Sequence, residues 1–345
     1  MAFFRKPPTK LNLALQGGGA HGAFTWGVLD RLLEDGRLQF DTVSGTSAGA
    51  VNAVAFASGY LEGGPDGARA KLTSIWEAIN KTGIPEFIRF NPLLSGSKNV
   101  DQLAGSSIRH LTNVWSPYHL NPLAINPLKT LLQNQIDFEA LAKSPPFRIL
   151  IAATNVATGL ARVFRDDEIS VDTVLASACL PTLHHAVKIG EAHYWDGGFS
   201  ANPDLVTLSR LSKARDTLLV VLNPVRQPEV PTTAREIAGH IARLTFNQPF
   251  LRDIALLDSV RRADVRILGA DASYEGLRRQ RFHLIAAGAY TSRLSPESKL
   301  KPDWALLTHL HVAGRTEADR WLGENFEFVG REETADLVRL FLRPR

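Results

Sequence analysis

The sequence predicts a three-layer α/β fold, with helices on both faces of a central, mostly parallel sheet. Two observations carry that prediction. Short apolar runs recur at residues 11–16, 40–44, 148–154 and 217–222, and a strand that is apolar on successive residues is one covered on both faces. Between these runs lie segments whose apolar residues recur at helical spacing, and strand alternating with helix is the pattern of an α/β sheet.

The elements follow in order. Residues 1–10 read as an N-terminal tail, with Phe3 and Phe4 beside Arg5 and Lys6 at a frayed end. The run 11–16 (LNLALQ) ends in three glycines; Phe24, Val28 and Leu32 then mark a helix that Asp35-Gly36 closes. A second strand at 40–44 leads into 48–58 (AGAVNAVAFAS), whose small side chains let a helix approach a sheet closely. Residues 84–133 change character: prolines at 85, 92, 117, 122 and 127 and the aperiodic apolar residues Trp115, Leu120 and Ile125 read as a cap or lid.

Strand signal returns at 148–154, 161–164, 193–195 and 217–222. Thr233 and Glu236 form a capping box ahead of Ile237, Ile241 and Leu244; Leu251, Ile254, Leu257 and Val260 follow Pro249, so two consecutive helices are expected. A late strand at 281–287 and helices over 304–341 complete the chain. The expected organisation is one core, 11–225, carrying the insertion, with a mainly helical extension, 226–345, packed on it.

Composition narrows the function classes. The 345 residues are 44% hydrophobic and 21% charged, values of an ordinary globular chain. Thirty-nine Lys and Arg against 35 Asp and Glu leave a net charge of only +4, and no run of five like charges occurs, so nucleic acid is not an expected partner. A single cysteine, Cys179, excludes an internal disulfide and a multi-cysteine zinc site. No metal and no cofactor are expected. No apolar stretch reaches the about 18 residues of a membrane span, and the N-terminus lacks a signal-peptide core, so a cytoplasmic protein is the expectation.

Two glycine-rich turns carry the chemistry. The first, GGGAHG at 17–22, follows the first strand and opens the first helix, so its N–H groups can face an anion. It also matches the Gly-x-Gly-x-x-Gly of dinucleotide sites, but Asp41, the acid at the right separation, begins its strand rather than ending it. An oxyanion hole is the competing use of the same turn. A plain βα connection is the simplest one. The second turn, Gly45-Thr46-Ser47-Ala48-Gly49, has the small flanking residues a nucleophile elbow needs between strand and helix.

A serine hydroxyl needs a base to take its proton. The order serine, acid, histidine permits a triad of Ser47, Asp196 and His283 or His309, but these histidines fall in strand-like and helix-like runs that suit structural roles. His184-His185 is a poor metal pair, since adjacent residues of a strand point to opposite faces. His21 precedes the first helix and is poorly placed as a base. Asp196, closing a strand-like stretch ahead of Gly197 and Gly198, is the better base, provided partial burial raises its pKa. Asp-Gly-Gly is also an ordinary turn.

Taken in order, GGGAHG at 17–22, GTSAG at 45–49, SACLP at 177–181 and DGG at 196–198 resemble the patatin-like phospholipase family of bacterial type, over about residues 11–222. The resemblance implies a patatin-like α/β/α fold and a Ser-Asp dyad: Ser47 as nucleophile, Asp196 as base, and Gly17, Gly18 and Gly19 with Ala48 as oxyanion hole. His21, Gly22, Gly45, Gly49, Gly197 and Gly198 support the motifs. It further implies hydrolysis of phospholipids or other acyl-ester lipids through an acyl-serine intermediate without a metal, and peripheral membrane contact through 84–133. Two departures stand out: the glycine motif usually carries Arg or Lys where this chain has His21, and the part after about Pro224 matches less clearly. An acyltransferase, a thioesterase and a catalytically silent lipid-binding module stay open as alternatives.

Overall fold

Eight strands form one sheet in the computed structural model, which describes residues 9–82, 115–226, 229–263, 272–292, 294, 296–300 and 302–343. They are β1 (Thr9–Leu15), β2 (Leu38–Thr46), β3 (Arg148–Asn155), β4 (Ala161–Arg165), β5 (Val187–Ile189), β6 (Ala192–Asp196), β7 (Asp216–Val221) and β8 (Arg281–Ala286). The order is β5-β6-β3-β2-β1-β7-β8, with β4 also paired to β3. The pairs β1/β2, β2/β3, β1/β7 and β7/β8 are parallel, while β4 and β6 run antiparallel to β3 and β5 to β6. The mostly parallel α/β sheet expected from the apolar runs is the one observed.

Alternation along the strands builds two cores. Leu11, Leu13 and Leu15 of β1 turn to one face with Val43, Ile149, Ile151, Leu218 and Val220; Ala14, Leu150, Leu219 and Val221 turn to the other. The first face is covered by α1 (Gly22–Asp35), α2 (Ala48–Thr82) and a long helix late in the chain. Between α2 and β4 come α3 (Pro127–Gln135) and α4 (Phe138–Lys143), and α5 (Val171–Ser177) follows β4. The second face is covered by α6 (Leu205–Leu211), α7 (Ala234–Arg262) and α8 (Ala272–Arg279). The late helix is α9 (Trp304–Asn325). Both faces of the sheet are therefore covered, and the polar residues of its central strands, Asn12, Ser44 and Thr46, are buried and hydrogen-bonded.

Three local findings refine the expectations. The helix after Ser47 runs on to Thr82, broken only where Gly63 and Gly64 leave helical geometry ahead of Pro65. Residues 234–262 form one helix rather than two: Pro249 forfeits one backbone hydrogen bond, but burying Phe250, Ile254 and Leu257 against the sheet keeps the helix running. The three-residue strand β5 was not foreseen. The cap expected at 84–133 falls mostly on residues 83–114, outside the described residues, as do Phe3 and Phe4; its described remainder is a single turn, Pro117–Leu120, and the start of α3.

The C-terminal region supplies an edge strand, β8, and the helix α9, which packs on α1 backbone to backbone. A Cβ on Gly27 would stand 2.0 Å from the His311 carbonyl oxygen, and one on Gly314 2.1 Å from that of Phe24. Arg315 and Arg69 converge on Asp30 of α1, Arg69 at 2.6 Å, tying α9 and α2 to that helix. No helix among the described residues is long and apolar enough to cross a membrane.

Candidate active site

The site lies where the parallel strands end. Leu15 pairs with Gly45 and Thr46 with Ala152, so the turns after β1 and β2 emerge side by side at the C-terminal edge of the sheet, where open α/β sheets place their ligands. Antiparallel β6 brings its last residue, Asp196, opposite Ala153 at the same edge.

Ser47 sits at φ 55, a left-handed conformation that costs a non-glycine residue strain and that a nucleophile elbow requires. The flanking glycines are sterically required: a Cβ on Gly45 would meet the Gly49 carbonyl oxygen at 2.4 Å, and one on Gly49 that of Leu15 at 2.1 Å. The first glycine turn crowds in as closely, since a Cβ on Gly17 would stand 2.9 Å from Ser47 Cβ and one on Gly22 2.7 Å from Ala48 Cβ.

Asp196 is fully buried. Its Oδ1 accepts the Gly198 N–H at 2.8 Å, while Oδ2 has no hydrogen-bond partner among the described residues. Burial pushes its carboxyl up to about 7, against the Gly198 N–H and the nearby Ser47 hydroxyl, which favour the ionised form. The Ser47 hydroxyl thus stands close enough to stabilise the carboxylate. A Cβ on Gly197 would meet the Ala152 carbonyl oxygen at 2.1 Å, so the turn after Asp196 must lie flat on β3.

The segment SACLP, a motif of the resemblance with no catalytic role expected of it, holds both residues. Ser177 Oγ accepts the Ser47 N–H at 2.9 Å, and the Cys179 carbonyl accepts the Asp196 N–H at 2.8 Å. Thr154 Oγ1 donates to the Asp196 carbonyl at 2.8 Å. Two residues of one short segment thereby anchor the backbones of Ser47 and Asp196. The Cys179 thiol itself is buried and pushed up to about 12, which leaves it inert.

The glycine turn needs one correction. The Gly17 N–H is committed to Asn202 Oδ1 at 2.8 Å, so it is not free to serve an oxyanion. The N–H groups of Gly18, Gly19 and Ala48 find no acceptor among the described residues. His21 is buried at the start of α1; its Nε2 meets Ser298 Oγ at 2.7 Å, and burial, then the Lys299 charge, lowers it to about 4, so it is neutral.

Ser47, Asp196 and the glycine turn line one cavity of about 420 Å³, walled by apolar groups including Val51, Trp76, Leu128, Leu131, Leu183 and Phe246. Of the histidines weighed above, His21 and His184 reach it; His283, on β8, instead joins Asp216 of β7 and Thr334, and His309 packs near Tyr290. Asp41 Oδ2 accepts the Lys213 N–H at 2.8 Å and has no part in the cavity, which removes the acid a dinucleotide site would need.

A model of the patatin-like phospholipase family matches residues 13–208 of this arrangement. The chain belongs to the patatin-like phospholipase family. No curated protein matches the chain. Among solved structures, VipD from Legionella pneumophila is similar at 17% identity over 92% of this chain and 67% of its own, with a TM-score of 0.41. The type III effector ExoU is similar at 16% identity over 92% and 53%, TM-score 0.33. ExoU in its complex with SpcU from Pseudomonas aeruginosa gives 20% identity over 80% and 58%, TM-score 0.27. The chain thus spans about half to two thirds of these proteins, and the patatin-like assignment rests on the family match.

Proposed function

We propose that this patatin-like protein is a lipid acyl hydrolase working through a Ser47–Asp196 dyad. The observation that supports it best is a serine on a strained elbow beside a buried carboxylate, inside an apolar cavity, in a chain that the family model matches. Asp196, with its pKa near neutrality, takes the Ser47 proton as the serine oxygen attacks the ester carbonyl. The N–H groups of Gly18, Gly19 and Ala48 receive the charge on the carbonyl oxygen. Collapse of this adduct expels the alcohol, which leaves with the proton from Asp196. Water, giving its proton to Asp196, then attacks the acyl-serine; collapse returns that proton to the Ser47 oxygen and releases the fatty acid.

A fluorophosphonate probe should label the wild-type protein and not Ser47→Ala. Absence of labelling in a folded sample, with no hydrolysis of short-chain nitrophenyl esters, would sink the hydrolase reading in favour of a silent lipid-binding module. Asp196→Asn should lose turnover while His283→Ala keeps it; near-normal turnover in Asp196→Asn would remove the dyad. Exposed Trp115, Leu123 and Ile125, on the segment leading to the cavity residue Leu128, support contact with aggregated lipid. Charging Leu123 should lower activity on vesicles and spare activity on monomeric esters.

A further inference from the structure

Two cations reach the candidate cavity with no acid joined to them among the described residues. Arg243 lies on α7 and Lys299 on the turn Pro296–Leu300, and both line the cavity with Ser47 and Asp196. Lys299 Nζ donates to Asn223 Oδ1, a neutral acceptor, and among the described residues neither cation is joined to a carboxylate. Asp196 is the one carboxylate among the cavity's described lining residues. The two cations also feel each other: burial, then the Arg243 charge, pushes Lys299 down to about 8. Partly desolvated cations ordinarily have a counter-charge in the protein. The cavity that both line offers room for one.

Their placement ties them to the ester chemistry. A Cβ on Gly19 would stand 2.3 Å from the Lys299 carbonyl oxygen, so the turn bearing Lys299 rests directly on the glycine turn. Both cations come from the C-terminal region, beyond the residues 13–208 that the family model matches.

We propose that Arg243 and Lys299 receive the phosphate of an acyl-ester lipid with a net negative headgroup, and so direct the protein toward anionic glycerophospholipids. This rests on the reading of the cavity as an acyl-ester site. A guanidinium fork and an ammonium point charge are the two side chains that suit a phosphate. The ammonium of a zwitterionic headgroup would face the same two cations with no carboxylate but Asp196 among the cavity's described lining residues, and a neutral acylglycerol would leave both cations unpaired. Preference therefore comes from repulsion as well as attraction.

The test is equilibrium binding by calorimetry of dihexanoyl phosphatidylglycerol, dihexanoyl phosphatidylcholine, dihexanoylglycerol and inorganic phosphate to the Ser47→Ala protein. The expected order is anionic, then zwitterionic, then neutral. Adding Arg243→Gln or Lys299→Gln should weaken phosphatidylglycerol by about tenfold or more, the effect of losing one charge-assisted hydrogen bond, and should collapse the difference between headgroups. Arg243→Lys and Lys299→Arg should keep the order, and they serve as controls if the Gln variants fold poorly. Equal affinity for the three lipids, an unchanged order in folded Gln variants, or inorganic phosphate binding as tightly as the lipid would each overturn the proposal. A wild-type protein that shows the headgroup order but takes no fluorophosphonate label would fail as a hydrolase while keeping this subsite, so the two failures are told apart.

Discussion

At Asp196, catalytic fitness and stability pull in opposite directions. The carboxyl must be ionised to take the Ser47 proton, and burial has raised it to about 7 from an ordinary 3.8. The ratio kcat/KM on a monomeric ester should therefore rise with pH through about 7 and level off above it; a flat profile between pH 5 and 8 would remove Asp196 as base. For stability, the folded pKa lies above the unfolded one, so the folded state holds a proton that the unfolded state has released between about pH 4 and 7. Ionising the buried group thus costs stability as pH rises through that window. Asp196→Asn removes the cost, and its melting temperature relative to wild type should climb from pH 5 to pH 8 in parallel thermal scans. Two further side chains belong at this scale. Ser177→Ala unties the Ser47 N–H and should lower kcat about tenfold or less with KM little changed, since one neutral hydrogen bond is worth about 1 kcal/mol. His21→Arg, which restores the kind of residue the resembling motif usually carries, would bring a second cation against Lys299, so it should lower the melting temperature.

Among the elements, the pair α1 and α9 shows how tightly the C-terminal region is bound in. Gly27 and Gly314 let the two helices touch along their backbones, and nothing larger fits between them. Gly314→Ala should cost about 1–3 kcal/mol, the usual penalty of overpacking, read as a shifted denaturation midpoint with an unchanged slope. A neutral result would mean that α9 is only loosely laid on the core. The long helix α7 makes a related point: its buried face covers the second side of the sheet while Gly239, Arg243 and Phe246 line the cavity, so one helix both closes the core and furnishes the site.

For the whole molecule, the family-matched residues 13–208 do not include every part of the sheet. β7 and β8 lie beyond them, and β7 is the parallel partner of β1, whose end carries the glycine turn. A chain cut after residue 225 would expose the outer edge of β7 and the apolar side chains of β1, β3 and β7 that α7 and α9 bury. Such a truncation should lose cooperative thermal unfolding and fluorophosphonate labelling together; a truncated chain that still labels would make residues 226–345 an accessory rather than part of the catalytic body.

What could be read from sequence was whatever local geometry dictates. Runs such as LNLALQ announce strands covered on both faces, and an elbow or glycine turn accepts only small residues at fixed spacing, so Ser47 and its neighbours stand out in the one-dimensional pattern. Asp196 was legible through the order of the motifs rather than through its own surroundings. The lone proline at 249 misled, because burial of Phe250 and Ile254 is a tertiary gain that a local rule does not register. Tertiary structure alone decided that Asn202 occupies the Gly17 N–H, that Ser177 and Cys179 hold the two candidate catalytic residues from one short segment, and that Arg243 and Lys299 reach the cavity. The physical reason is shared: Gly17 and Asn202, or Ser47 and Ser177, lie more than a hundred residues apart, and the two cations come from separate elements, so no spacing rule in the chain announces them and only the packing of the sheet and its two helical layers brings them within reach.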